Sequence, residues 1–192
     1  MLRRSLSVLV IGVVLVVMAC DAKERRQPPP VPSAHPVVES APYLCDLVPE
    51  RSFRQAVGIT APLEVRWSGR PRQDHAMCSA RVAGEEAALG MRWSFNDGEN
   101  IIRTQRGDGD DPDRRDLPPD LGDGLTALDG DTVSSRDNYV IALFHCGKKK
   151  PWIRIDFVPV VRGRDAVQDM TDFMRIAQKR FGEIHKCAPR PR

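Results

Sequence analysis

Five unevenly placed cysteines constrain this chain more than any other feature. Cys20 stands alone behind an apolar N-terminal run, and Cys45, Cys78, Cys146 and Cys187 are spread through the rest. Arg3 and Arg4 precede the uncharged run, residues 6–19, which is rich in Val and Leu. At roughly 14 residues it has the length of the apolar part of an export signal and falls short of the ~20 a transmembrane helix needs. Export delivers the four later cysteines to an oxidising compartment, where an even count points to two disulfides among three possible pairings. The favoured pairing is Cys45–Cys78, tying the opening segment to a neighbouring strand, with Cys146–Cys187 pinning the last helix to the sheet. The competing reading is a metal site using Cys146 and Cys187 with the nearby His145 and His185. These are isolated dyads without CxxC-type spacing, and export favours oxidation over thiolate–zinc.

The apolar run ends in Val17-Met18-Ala19-Cys20, followed at once by Asp21 and a charged segment. This junction resembles the lipobox of bacterial lipoproteins. The resemblance implies a diacylglycerol on the Cys20 thiol, removal of residues 1–19 as a signal peptide, and palmitate-type acyl chains holding the mature protein on the outer face of the cell membrane. Residues 20–42 are charged and then Pro-rich, a composition that cannot build a core and favours extended polyproline II. They read as a semi-rigid stalk. Residues 43–188 are expected to form one extracytoplasmic domain, and residues 189–192 a disordered tail.

The formal charge of +3 counts Arg3 and Arg4, so without them the chain stands near +1 and carries no excess that argues for nucleic acid. Within the domain, a short helix is expected with Asp46 as its cap, Pro49 in its first turn and Gly58 as its stop. Alternation marks half-buried strands at residues 63–67, 77–82 and 89–95, followed by a turn at 96–98 and a further short strand opened by Ile101 and Ile102. Residues 107–123, full of Asp, Gly and Pro, read as loop. Strands follow at 132–135, 139–146 and 152–158, and the apolar run 139–144 suits a central strand buried on both faces. From Asp165 to Lys186, Ala166, Met170, Phe173, Met174, Ala177, Phe181 and Ile184 form one helical stripe. The expected fold class is α+β: an antiparallel meandering sheet, a short N-terminal helix, and a long C-terminal helix packed on one face.

Pro42-Tyr43-Leu44-Cys45-Asp46-Leu47-Val48, a helix ending Ala56-Val57-Gly58, and a second cysteine at Cys78 resemble a family of actinobacterial lipoproteins of unknown function. Leu117-Pro118-Pro119-Asp120-Leu121-Gly122-Asp123 resembles that family and the related extracellular sensor domains of mycobacterial serine/threonine kinases. There a Gly-Asp pair precedes a strand, a polar turn and a second strand, a layout that residues 131–143 fit. The family often has Trp shortly after its second cysteine, where this chain has Ser79-Ala80-Arg81. The resemblance implies an envelope lipoprotein with no assigned activity.

Asp108, Asp110 and Asp113, with Asp111 and Asp116, form the best candidate cation site. The stretch lacks the sixth-position glycine and twelfth-position glutamate of an EF-hand, and Arg114 and Arg115 offset part of its charge, so it reads as a solvated acidic loop. Lys148, Lys149 and Lys150 read as a soluble turn rather than a lipid-docking patch. Trp67, Trp93 and Trp152 read as sheet packing. There is no GxSxG, HExxH or glycine-rich phosphate loop. The expected function is therefore a non-catalytic binding or sensing module, without cofactor, for an envelope protein or small ligand. The alternatives are a structural envelope protein and, after it, a hydrolase.

Overall fold

The computed structural model describes residues 35–68, 74–107, 113–128 and 138–191. The expected signal peptide, residues 1–19, Cys20, the expected stalk up to residue 34 and the expected strand at 132–135 lie outside these residues. Seven of the described strands form one antiparallel sheet in an α+β arrangement with three α-helices, and the other four make two short pairs. One half is a meander of β3 (Glu64–Trp67), β4 (His75–Arg81) and β5 (Ala87–Ser94). The other half runs β6 (Arg114–Asp116), β7 (Asp123–Leu128), β8 (Asn138–Leu143) and β10 (Trp152–Phe157). The halves join where β10 inserts between β5 and β8, so the sheet is two meanders with a seam rather than a single one. At the seam Ile153 lies opposite Trp93, Ile155 opposite Met91 and Phe157 opposite Leu89.

Strand alternation sends those residues to one face, where the long helix α3 (Ala166–His185) and the short helix α1 (Glu50–Val57) cover them. Asp165 caps α3 by accepting a hydrogen bond from the Gln168 N–H at 3.0 Å. Met170, Phe173, Met174, Ala177 and Phe181 are fully buried, as the stripe requires. Phe53 of α1 meets Phe157 and Phe173 with ring centroids 6.0 and 6.2 Å apart, tying both helices to the sheet. Ile184 departs from the expected stripe and is 44% exposed. One turn beyond Phe181, the inward position belongs to His185, whose ring stacks on that phenylalanine at 4.1 Å. Helix α1 starts one residue after Pro49, which serves as its N-cap, while Asp46 sits in the preceding turn between β1 (Tyr43–Leu44) and β2 (Val48–Pro49) with φ of 63°. Gly58 ends α1 in the left-handed conformation, as its position predicts.

Other elements depart further from the sequence reading. Ile101 and Ile102 belong to a helix, α2 (Gly98–Arg106), rather than a strand. Their flanks, Glu99, Arg103, Gln105 and Arg106, are good helix formers, and since adjacent helical residues lie about 100° apart, Ile102 is buried while Ile101 is only half-buried. Ile102 packs on the opposite sheet face with Leu125, Tyr139, Ile141, Leu143 and Trp152, so β8 is buried on both sides as its continuous apolar run predicts. Within the expected loop 107–123, the described part holds β6 and a single 3-10 turn, Pro119–Leu121. Strand β3 is an exposed edge rather than a half-buried strand, and only Trp67 is partly covered. The expected tail is paired through residue 190: β11 (Pro189–Arg190) lies against β9 (His145–Cys146). Gly182 permits this return, since a Cβ there would approach Pro189 and the Cys187 carbonyl to 2.5 and 2.6 Å.

The two disulfides are Cys45–Cys78 and Cys146–Cys187, closing separations of 33 and 41 residues. The first fixes the β1–β2 turn to β4. The second fixes the end of α3 beside the β8–β10 connection. Chain residues 35–42, assigned by composition to the stalk, lie along the helical face. Val37 packs against the core, Val38 and the Ser52 hydroxyl exchange two hydrogen bonds, and Lys179 pairs with Glu39 at 2.7 Å. Arg164 donates to the His35 carbonyl while gripping Asp169 through two bonds of 2.6 and 2.7 Å, with only 7% and 10% of the two side chains exposed.

Replacing both Cys146 and Cys187 with Ser is expected to lower unfolding free energy by about 3–4 kcal/mol, measured by urea denaturation against the oxidised chain. Asp169→Ala strands a largely buried guanidinium and is expected to cost about 3 kcal/mol in the same assay.

Candidate functional site

The two sheet faces are covered unequally. Helices α1 and α3 close one face, whereas α2 covers only the β7–β8 half and Trp152 on the other. What remains open is the second face of β3, β4 and β5. Its outward positions follow from the register. Arg66 of β3 lies opposite Ser79 of β4, which lies opposite Gly90 of β5, which in turn lies opposite Asp156 of β10. In the next row Met77 faces Arg92, and Arg92 faces Arg154. Arg81 occupies the row beyond Ser79, facing Glu64.

The charges on this face are unevenly satisfied. Arg154 is bonded to Asp156 at 2.7 Å and to the Gln105 amide oxygen at 2.5 Å, and its guanidinium lies 3.8 Å from the centre of the Tyr139 ring. Arg66 pairs with Glu64 at 3.2 Å on an exposed edge, a contact worth little in water. His75 pairs with Asp74 at 3.0 Å, also in solvent. Arg81 and Arg92 have no acidic partner among the described residues, and Glu85 and Glu86 in the nearby β4–β5 turn are exposed. The Arg81 Nε–H is shielded from solvent and meets no acceptor there, which costs free energy in a finished fold. Arg180 shares that feature, but its charge is accounted for by Glu183 at 2.5 Å and by the Tyr43 ring. Met77 is 49% exposed, so the face also carries an apolar element.

Two grooves lie on the helical side, and folding contacts take up most of their polar groups. One, of about 870 Å³, runs between α3 and the returning tail. There Arg175 pairs with Asp120 and Asp172, and the Gln178 amide is buried against the Leu121 carbonyl at 2.7 Å. The other, of about 540 Å³, lies beside α1, where Arg54 pairs with Glu50 and donates to the Thr60 carbonyl.

The sequence-derived candidates fall elsewhere. Asp108 and Asp110 lie outside the described residues, and Asp113 is an exposed residue just before β6. Asp116 pairs with Arg106 at 3.3 Å, and Asp123 pairs with the same guanidinium at 2.6 Å, which raises the Arg106 pKa further. No cluster of three metal-ligating side chains occurs among the described residues. The dyads at 145–146 and 185–187 offer no thiolate, because both cysteines are in a disulfide. His185 instead closes an aromatic cluster, edge-on to Trp93 at 4.7 Å and to Phe95 at 5.6 Å, with the Lys149 ammonium 4.4 Å from the centre of the Phe95 ring. Among the described residues no Ser or Thr hydroxyl is bonded to a histidine. The open arginine face escaped the sequence reading. Its outward residues were visible as alternation in β4 and β5, but their meeting depends on strand order.

Known protein families, curated proteins and solved structures offer no match to this chain. The two disulfides fit an oxidising, extracytoplasmic environment. No helix among the described residues is long and apolar enough to cross a membrane.

Burial, and then the charge of Lys149, hold the His185 pKa below its ordinary 6.5. The folded protein therefore disfavours the proton that the unfolded chain accepts, and stability falls as pH drops through and below that value. Urea unfolding of the wild type should weaken more between about pH 7 and pH 5 than that of His185→Phe, which keeps a ring in place. Equal pH slopes would show that His185 does not carry the effect.

Proposed function

We propose that this protein is a lipid-anchored lipoprotein, held by Cys20 on the outer face of the cell membrane, and that its domain is a non-catalytic binding or sensing module of the envelope. The observation that carries the reading is the open half of the second sheet face. Arg81 and Arg92, both half-buried on the open face of β4 and β5, have no acidic partner among the described residues, and the shielded Arg81 Nε–H meets no acceptor. Such a surface is an expected place for a partner, because its polar groups are not consumed by folding. The actinobacterial lipoprotein resemblance supports the same reading, as does the lipobox-like junction before Cys20.

Site-directed photo-crosslinking in intact cells tests it. A photo-reactive side chain at position 77 should yield adducts of discrete mass, and one at position 184 on the helical side should not. Indistinguishable patterns from the two positions would remove the support. For the anchor, Cys20→Ala should move the protein from the membrane to the soluble fraction and abolish labelling by a radioactive fatty acid. Persisting label would place the lipid elsewhere.

A further inference from the structure

We propose that this protein pairs with a second copy of itself through the free edge of β3, in a two-fold antiparallel register with Val65 on the axis and Glu64 of each copy opposite Arg66 of the other. This surface is the rim of the sheet, and it does not depend on what the open face of β4 and β5 binds.

β3 ends the seven-stranded sheet, and no described strand lies beyond it. The Ser68 N–H donates to the Met77 carbonyl at 2.9 Å, one step past the Trp67–Cys78 pair. In an antiparallel ladder, residues whose backbone groups face one neighbour alternate with residues whose groups face away. Ser68, Arg66 and Glu64 therefore direct their N–H and C=O groups at β4, while those of Val65 and Trp67 point outward from the sheet. Neither residue's outward groups meet a partner among the described residues. The Val65 side chain is 40% exposed, so apolar surface accompanies these unpaired groups. Charged residues often protect such an edge from pairing. Here the two charges are of opposite sign and two residues apart, and that spacing makes the edge complementary to itself.

Outward backbone groups must meet outward groups, so a two-fold axis can pass only through a residue of the strand and not between two. An axis at Arg66 sets that residue against its own copy, and an axis at Glu64 does the same for the carboxylate. Like charges directly opposite are destabilising, so both registers are disfavoured. An axis at Trp67 leaves Glu64 and Val65 with no β3 residue to face. The axis at Val65 avoids all three faults. It sets Glu64 opposite the second copy's Arg66 twice, pairs Val65 with Val65 through two main-chain hydrogen bonds, and brings Trp67 to Leu63. Glu64 and Arg66 then occupy non-hydrogen-bonded positions, where opposed Cα atoms are about 4.5 Å apart and side chains are closest. At present these two residues pair within their own strand at 3.2 Å, with half or more of each side chain in solvent. Two copies exchange those contacts for cross-strand ones without losing a pair. Glu64 also faces Arg81 on its inner side, so the joined sheet alternates in sign from Arg81 to Glu64 to the second copy's Arg66. An edge this short gives a weak, reversible dimer, in the class of small transient interfaces.

The test uses full-length protein in excess non-ionic detergent, so that each micelle holds one chain, with separate batches carrying a donor or an acceptor dye. Energy transfer between the batches reads association. The wild type should self-associate, and Glu64→Arg and Arg66→Glu should each weaken self-association about tenfold, because each turns both cross-strand pairs into like charges. Mixed with one another, the two variants should associate as tightly as the wild type, since each supplies the charge the other lacks. Charge pairs within one chain cannot produce that recovery. Both variants should keep the wild-type melting temperature. If either does not, a second arm remains decisive. In intact cells under mild oxidation, Val65→Cys should give a disulfide-linked adduct of twice the chain mass, because hydrogen-bonded pairs place Cα atoms about 5.5 Å apart, within disulfide reach. Arg66→Cys should give no more adduct than the wild type. Absence of self-association, no recovery in the mixture, equal adduct yields at positions 65 and 66, or a Val65→Cys adduct with a different protein alone would each overturn the proposal.

Discussion

Everything in this domain depends on the pairing of β5 with β10. Six opposed residue pairs run along that seam, and among the described strands they join the sheet's two meanders into one surface. The seam aligns Trp93, Met91 and Leu89 with Ile153, Ile155 and Phe157, giving α3 and α1 a continuous apolar floor. Burying such a floor is worth about 25 cal/mol per Å² of apolar surface, so the core exists because the seam does. The same registration has an unavoidable second result: whatever alternates outward on β5 and β10 must also meet. Arg92 and Arg154 are brought together by packing on the opposite side of the sheet.

The unequal coverage of the two faces follows from helix length. α3 has twenty residues, about 30 Å of helix, enough to span several strands. α2 has nine and covers only the β7–β8 half with the edge of β10. The open remainder is polar enough to face water, and antiparallel sheets tolerate this. Glu64 and Asp156 share it with the arginines and pair with Arg66 and Arg154, while Arg81 and Arg92 have no acidic partner among the described residues.

Much of the architecture was legible in the sequence because it is governed by local periodicity. The helical stripe of Met170, Phe173, Met174, Ala177 and Phe181, the run 139–144 and the alternation through Leu89, Met91 and Trp93 each announce both an element and its buried side. Both disulfide pairings were also readable, from the count of cysteines and from the elements each pair would tie together. Ile101 and Ile102 were misread because two adjacent apolar residues fit either a short buried strand or a helix. Strand β7 was lost in a Gly- and Asp-rich context, although Leu125 and Ala127 alternate within it. The arginine face was invisible for a different reason. Outward positions can be read strand by strand, but which strands adjoin is a non-local fact, and β10 is separated from β5 in sequence by most of the second meander.

The placing of the two staples has a kinetic meaning. One clamps the segment where the domain begins, and the other clamps the end of its last helix, whose following strand is also paired. Proteins commonly open by fraying inward from their termini, through partly unfolded states of low free energy. With its first strands and the end of its last helix stapled, the described domain loses those routes and must open through its interior, where the seam and the phenylalanine cluster resist. Its lifetime is then set by the height of the unfolding barrier more than by the depth of the native well. Such persistence suits a protein working where it cannot be refolded by the machinery that made it.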